Sequence, residues 1–322
     1  MRVAANLVVF AIGLTALAAA HADEAFHYAT SAVANEVVID SRPLADCKRS
    51  SLPGARCLPA EDFLGPHRRL PSERDILWLL GTAGLDGSEA VLVVGQDATA
   101  RDFVGGLLYL AGQRQVRVLT EPLARVLSGR TDASPGHERG IIRAAVFTAP
   151  MRAERVVLKQ ELEQELRREA AGVTLLDGRS ELEYWGETVR AARGGHLPGA
   201  MLLPAMTLAA RPPLPANGAI AYAHDAYEGL AYFTRLVAGH GFAARIYSGG
   251  WAEWAADGSL PVDAATYPER RAEAPAVASP VLAAVSPAPT SGASRAVIAM
   301  AAGAALLAAF AGGWILSRRR MA

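Results

Sequence analysis

The sequence predicts an α/β protein with two doubly wound parallel sheets, and three observations carry that expectation. Short apolar runs alternate with helix-like segments across residues 36–262, the pattern of strands joined by helical crossovers. Residues 90–94 (AVLVV) are apolar at every position, as a strand covered on both faces requires. The chain also repeats itself. Each half opens with an apolar run ending in Asp (36–40, EVVID; 173–177, VTLLD) and passes through Leu-Pro-Gly-Ala (52–55; 197–200). Each then reaches a second short strand ending in Leu-Pro (Leu58-Pro59; Leu203-Pro204).

At the amino terminus, Met1 and Arg2 precede the apolar run 3–20, and Ala20-His21-Ala22 places small residues where a signal peptidase reads them. Residues 1–22 are expected to be a secretory signal cleaved before Asp23, with an uncleaved anchor as the alternative. The first folded unit is assigned to residues 23–130. Within it Ser72 and Asp75 cap a helix over 73–81, and a helix over 102–111 and a strand over 116–119 follow the central strand. Gly, Pro, Asp and Ser cluster in 128–139 (SGRTDASPGHER), so residues 131–150 read as a linker. The second unit, 151–270, begins with an amphipathic helix over 155–170. It matches the first with a strand over 219–223, a helix over 229–238 and a strand over 244–247.

Residues 271–294 are dominated by Pro, Ala and Ser without aromatics, a composition that favours an extended stalk. Residues 296–316 hold 21 residues without a charge. At helical rise they reach about 31 Å, the thickness of a bilayer core, so 295–317 is expected to be a transmembrane helix. Arg318, Arg319 and Arg320 place the tail 318–322 in the cytoplasm. The body is then extracytoplasmic, on a single-pass protein of the inner membrane. Small residues four apart, such as Ala304 and Ala308, would let two such helices pack as a homodimer.

Composition narrows the function. The chain has 322 residues, 51% of them hydrophobic, and 32 Lys+Arg balance 32 Asp+Glu. Four of those arginines lie in the signal and tail, leaving 28 cations against 32 anions in the rest. A mildly acidic body offers no field for collecting phosphates, so no nucleic-acid partner is expected. No phosphate-binding glycine loop, Ser-His-Asp order or Cys-x-x-Cys stands out, and no cofactor is expected.

The stretch 173–204 (VTLLDGRSELEYWGETVRAARGGHLPGAMLLP) resembles the opening of a rhodanese domain. Its marks are an Asp-x-Arg turn after the strand, an acidic and aromatic helix start, then Gly-His-Leu-Pro-Gly-Ala. Residues 247–254 (YSGGWAEW) are similar to the closing Gly-Gly-Trp-x-x-Trp of that fold. The first half is fainter, with Asp40-Ser41-Arg42 and Leu52-Pro53-Gly54-Ala55 but no Gly-Gly-Trp. The resemblance implies two rhodanese-like domains in tandem, as in the thiosulfate and mercaptopyruvate sulfurtransferases, where usually only the second is active.

That family carries sulfur as a persulfide on a cysteine directly after the central strand, held by a six-residue loop of backbone N–H groups. The matching positions are Gly95 in the first half and Ala223 in the second, and neither has a nucleophile. The second loop reads Ala223, His224, Asp225, Ala226, Tyr227, Glu228, Gly229. Its two carboxylates would each oppose an anion about 5 Å away by a few kcal/mol at an effective dielectric of about 20. His224, Asp225 and Glu228 share one loop but are not expected to hold a metal. His196 belongs to the Gly-His-Leu-Pro-Gly turn, and His240 reads as a surface residue after a helix.

Cys47 and Cys57 are the only cysteines. In an exported protein they favour a disulfide, worth about 2.5–3 kcal/mol for so short a loop; a redox pair or a displaced sulfur acceptor is the alternative. The expectation is therefore a catalytically silent, membrane-anchored module whose loop 223–229 recognises a protein or peptide partner. The alternative is a sulfurtransferase or sulfane-sulfur carrier using Cys47 or Cys57.

Overall fold

A computed structural model describes residues 25–167 and 173–264. The expected signal, stalk, transmembrane helix and tail lie outside the described residues. Among the described residues no helix is long and apolar enough to cross a membrane.

The first sheet is built from β1 (Phe26–Ala29), β2 (Val37–Asp40), α1 (Leu44–Arg49), β3 (Arg56–Cys57), α2 (Glu73–Thr82), β4 (Ala90–Val94), α3 (Ala98–Leu110), β5 (Gln115–Leu119), α4 (Leu123–Leu127) and β6 (His137–Glu138). The second follows with β7 (Val156–Val157), α5 (Lys159–Arg167), β8 (Thr174–Asp177), α6 (Glu181–Tyr184), β9 (Met201–Leu202), β10 (Ala219–Tyr222), α7 (Ala226–Thr234), β11 (Ala244–Tyr247) and α8 (Gly250–Ala256). The strand orders are β1-β5-β4-β2-β3-β6 and β7-β11-β10-β8-β9, and every ladder is parallel. Five strands thus follow one order in both sheets.

Alternation along the central strands explains the layering. Val91 and Val93 face one core while Leu92 and Val94 face another. In the second sheet Ala219 and Ala221 join the first of these cores, while Ile220 and Tyr222 turn to a third that holds Trp251 and Trp254. One apolar layer therefore lies between the sheets, with a separate layer on the far face of each. The middle layer is closed by α3 against α7, where a Cβ at Gly106 would lie 2.5 Å from Thr234 Oγ1. Only glycine allows that approach. Thr234 in turn donates to the Asp102 carbonyl at 2.7 Å.

The repeated Leu-Pro-Gly-Ala is one turn used twice. Ala55 N donates to Leu52 O, and Ala200 N to Leu197 O, both at 3.0 Å. Gly54 and Gly199 both sit at φ +70°, the position where a turn opened by Pro demands glycine.

Several boundaries differ from the expectations. Residues 131–150 contribute β6, which pairs with β3, and they place Phe147 in the middle core; the sequence reading took only their turn residues into account. The expected helix over 155–170 is interrupted at its start, because Val156 and Val157 pair with Ile246 and Tyr247 as strand β7. That helix begins at Lys159, and residues 168–170 lie outside the described residues. Both helices after the central strands start earlier than expected, at Ala98 and Ala226, because Asp97 and Asp225 cap them by accepting from Ala100 N (2.8 Å) and Glu228 N (3.0 Å).

Candidate functional site

In open parallel sheets, ligand sites lie beyond the carboxyl ends of the strands. A cavity of about 570 Å³ occupies that place in the second sheet. Ala223 follows β10 at its floor, Gly178 and Arg179 follow β8, and Tyr227, Glu228 and Tyr232 enter from α7. Asp97 and Thr99 reach it from the first half, while Ala205 and Met206 close the side.

The frame behind the cavity is the Asp-x-Arg turn. Asp177, fully buried, accepts from Arg179 Nε (3.0 Å) and Nη2 (2.6 Å), from the Arg179 amide (3.0 Å) and from the Tyr222 hydroxyl (2.6 Å). Arg179 also donates to Gly195 O at 2.8 Å and lies over the Trp251 ring. Asp40 and Arg42 make the same bidentate pair in the first half, where Arg42 donates to Ser50 O.

The segment 223–229 is only in part the loop expected from the sequence. Only Ala223, His224 and Asp225 are non-helical, and Ala226, Tyr227, Glu228 and Gly229 form the first turn of α7. The Ala223 and His224 carbonyls accept from Trp251 N (2.9 Å) and Ala252 N (2.8 Å), so the start of α8 holds the segment in place.

The carboxylates of this segment are also less available than expected. Glu228 is gripped by Arg190 through both Nη atoms at 2.7 and 2.9 Å, and the same guanidinium reaches Glu183 at 2.7 Å. Burial works against the charge on Glu183, but Arg190 and the Ser180 hydroxyl hold its carboxyl below the usual range. Asp225 is spent on its cap and faces Arg68 at 3.7 Å. The penalty foreseen for an anion is correspondingly smaller, because an arginine stands against each carboxylate.

His224 and Glu228 both face the Glu183–Arg190 pair, while Asp225 faces Arg68. His224 Nδ1 lies 4.0 Å from Glu183 Oε1 without a hydrogen bond. Burial and Arg190 push its pKa down, which favours the neutral ring. Tyr227 packs on Phe103, carries Arg68 over its ring at 4.6 Å, and has its pKa pushed up to about 12 by burial and Asp97.

In the first half the matching position after β4, Gly95, is closely packed. A Cβ at Gly95 would sit 2.4 Å from Ser41 Oγ and 3.2 Å from Arg101 Cβ. Ser41 is itself tied to Val94 O at 3.0 Å. Gly95→Ala should therefore lose about 1–3 kcal/mol through overpacking; a denaturant midpoint equal to the parent's would contradict this geometry.

Cys47 and Cys57 form a disulfide with Cα atoms 5.8 Å apart, and both are fully buried. Gly136 packs on the bridge, where a Cβ would lie 2.4 Å from Cys47 Sγ. His196 stacks on Tyr184 with Nδ1 2.9 Å from the Tyr184 carbonyl, a turn-holding role as expected.

Arg190, Glu183 and Asp97 escaped the sequence reading. Arg190 meets partners 7 and 38 residues away, a spacing no helix or strand period reveals. For Asp97 a signal existed: like Asp225, it stands just before a helix that follows an apolar strand.

Residues 158–257 match the family profile described as a rhodanese-like domain. Solved structures share the fold. A probable thiosulfate sulfurtransferase is 24% identical at a TM-score of 0.52, over 73% of this chain and 100% of that one. Wild-type EanB is 19% identical at 0.59, over 73% and 64%. The anaerobic ergothioneine biosynthesis enzyme from Chlorobium limicola, in complex with trimethyl histidine, is 19% identical at 0.60, over 73% and 65%. This chain spans less than two thirds of the latter two. No curated protein matches it by sequence. The chain thus contains a rhodanese-like domain at 158–257 and has sulfurtransferase-like structural neighbours.

Proposed function

We propose that this protein is a membrane-anchored, extracytoplasmic pair of rhodanese-like domains that binds a protein or peptide partner and does not relay sulfur. One observation carries the reading: Ala223 stands at the end of β10, on the floor of the cavity, where sulfur transfer needs a thiolate. A persulfide forms when a thiolate attacks a sulfane sulfur and expels sulfite, and a methyl side chain cannot begin that exchange. Two further features support it. Gly95, at the matching position after β4, offers no nucleophile and is closely packed by Ser41 and Arg101, and both cysteines are buried in a disulfide. The anchor and compartment rest on residues 1–22 and 295–317 of the sequence, and a disulfide suits an oxidising compartment.

The test is turnover of thiosulfate and cyanide to thiocyanate by the full chain in neutral detergent, with and without prior reduction. Thiocyanate should form no faster than in protein-free buffer. Enzyme-like turnover, or a persulfide mass adduct on Cys47 or Cys57, would overturn the proposal in favour of a sulfurtransferase.

A further inference from the structure

A second cavity, of about 330 Å³, lies where α3, α7 and the segment after β9 meet; it shares Ala205, Met206 and Arg235 with the cavity beside Ala223 and extends from them to Arg101, Arg211 and His240. Three guanidinium groups line it. Arg101, with its side chain 6% exposed, donates to Thr120 O at 3.2 Å, while its Nε has no partner. Arg235 donates to Asp102 Oδ2 at 3.0 Å. Arg211 is exposed, and among the described residues no carboxylate pairs with it.

Asp102 is the only acidic side chain in the lining, and it is engaged by Arg101 at 3.7 Å and Arg235. His240, also in the wall, is held toward its neutral form by burial and by Arg211. The lining therefore has two positive charges more than it has negative. Such an excess around a pocket with a buried, unmatched guanidinium N–H calls for an acceptor carrying negative charge. Arg211 is moreover fixed at φ 52°, ψ 56°, a left-handed conformation that non-glycine residues rarely adopt and that tends to occur at binding sites.

We propose that this cavity binds a small oxyanion, a carboxylate or phosphate group, between Arg211 and Arg235 with Arg101 behind them. Arg211 and Arg101 line this cavity and not the one beside Ala223, so anion binding that depends on Arg211 and sulfur transfer at Ala223 are separate outcomes, and failure of one leaves the other standing.

Met206 supplies a reporter: it is 80% exposed and lines both this cavity and the one beside Ala223, so replacement of Arg211, which lines only this one, assigns the shift to it. The full chain, labelled with ¹³C at methionine methyls and held in neutral detergent, is titrated with inorganic phosphate and separately with N-acetylglycinate. Sodium chloride keeps ionic strength constant, and N-acetylglycinamide is the uncharged control. The Met206 methyl should shift saturably with phosphate, with N-acetylglycinate, or with both, which identifies the anion class. Arg211→Asn, which suits a left-handed backbone and should fold, is expected to weaken binding about tenfold. Arg74→Gln on the exposed face of α2 should not weaken it. A shift that never saturates, is matched by the amide control, or survives Arg211→Asn would overturn the proposal.

Discussion

Asp177→Ala is expected to destabilise the protein by about 3–5 kcal/mol, a large part of the roughly 5–15 kcal/mol that holds a typical domain folded. The side chain removed is fully buried and accepts from Arg179 and Tyr222 at once. The Arg179 side chain is 1% exposed, so the variant would leave a buried guanidinium with the Gly195 carbonyl and the Trp251 and Tyr222 ring faces but no carboxylate bonded to it. Breaking such a pair costs far more than the pair contributes against an apolar replacement, because the surviving charge remains desolvated. The corresponding pair in the first half is more open, with the Arg42 side chain 12% exposed, so Asp40→Ala should cost less. Denaturant midpoints of the two variants against the parent decide the matter; equal losses would mean that burial of the cation is not the controlling quantity.

Much of this architecture was legible in the sequence because it rests on local rules. The apolar run at Ala90–Val94 is a central strand with both faces covered, and the Leu-Pro-Gly-Ala repeats are matched turns. The rhodanese resemblance picks out Gly95 and Ala223, and they stand directly after β4 and β10.

What escaped was set by contacts distant in sequence. Strand β6 is two residues long and has no apolar pattern of its own; it exists because Arg56 and Cys57 offer a free edge to His137 and Glu138. β7 was absorbed into a helix because Val156 and Val157 fit an amphipathic period equally well until Ile246 and Tyr247 pair with them. The electrostatics of the site differ from the expectation for the same reason. Asp225 and Glu228 read as open carboxylates in the sequence, whereas Arg68 and Arg190, from distant segments, stand against them.

Gly250→Ala should be among the most damaging single-methyl additions in this molecule, at about 2–5 kcal/mol. Gly250 sits at φ +59°, where an L side chain costs about 1–2 kcal/mol. A Cβ there would also lie 2.7 Å from Ala223 O and 2.8 Å from His224 O. Those are backbone atoms held by Trp251 N and Ala252 N, so they cannot swing aside as a side-chain tip would, and displacing them adds about 1–3 kcal/mol. The second glycine of the Gly-Gly-Trp sequence is thus where α8 meets the segment that ends β10, and the cavity floor depends on it. Gly199 separates the two contributions. It lies at φ +70° with nothing within 4 Å of its Cβ position, so Gly199→Ala should show the conformational cost alone. A stability loss at Gly250 no greater than at Gly199 would mean that the Ala223–His224 backbone yields freely. The floor of the cavity would then not be the rigid element that its hydrogen bonds describe.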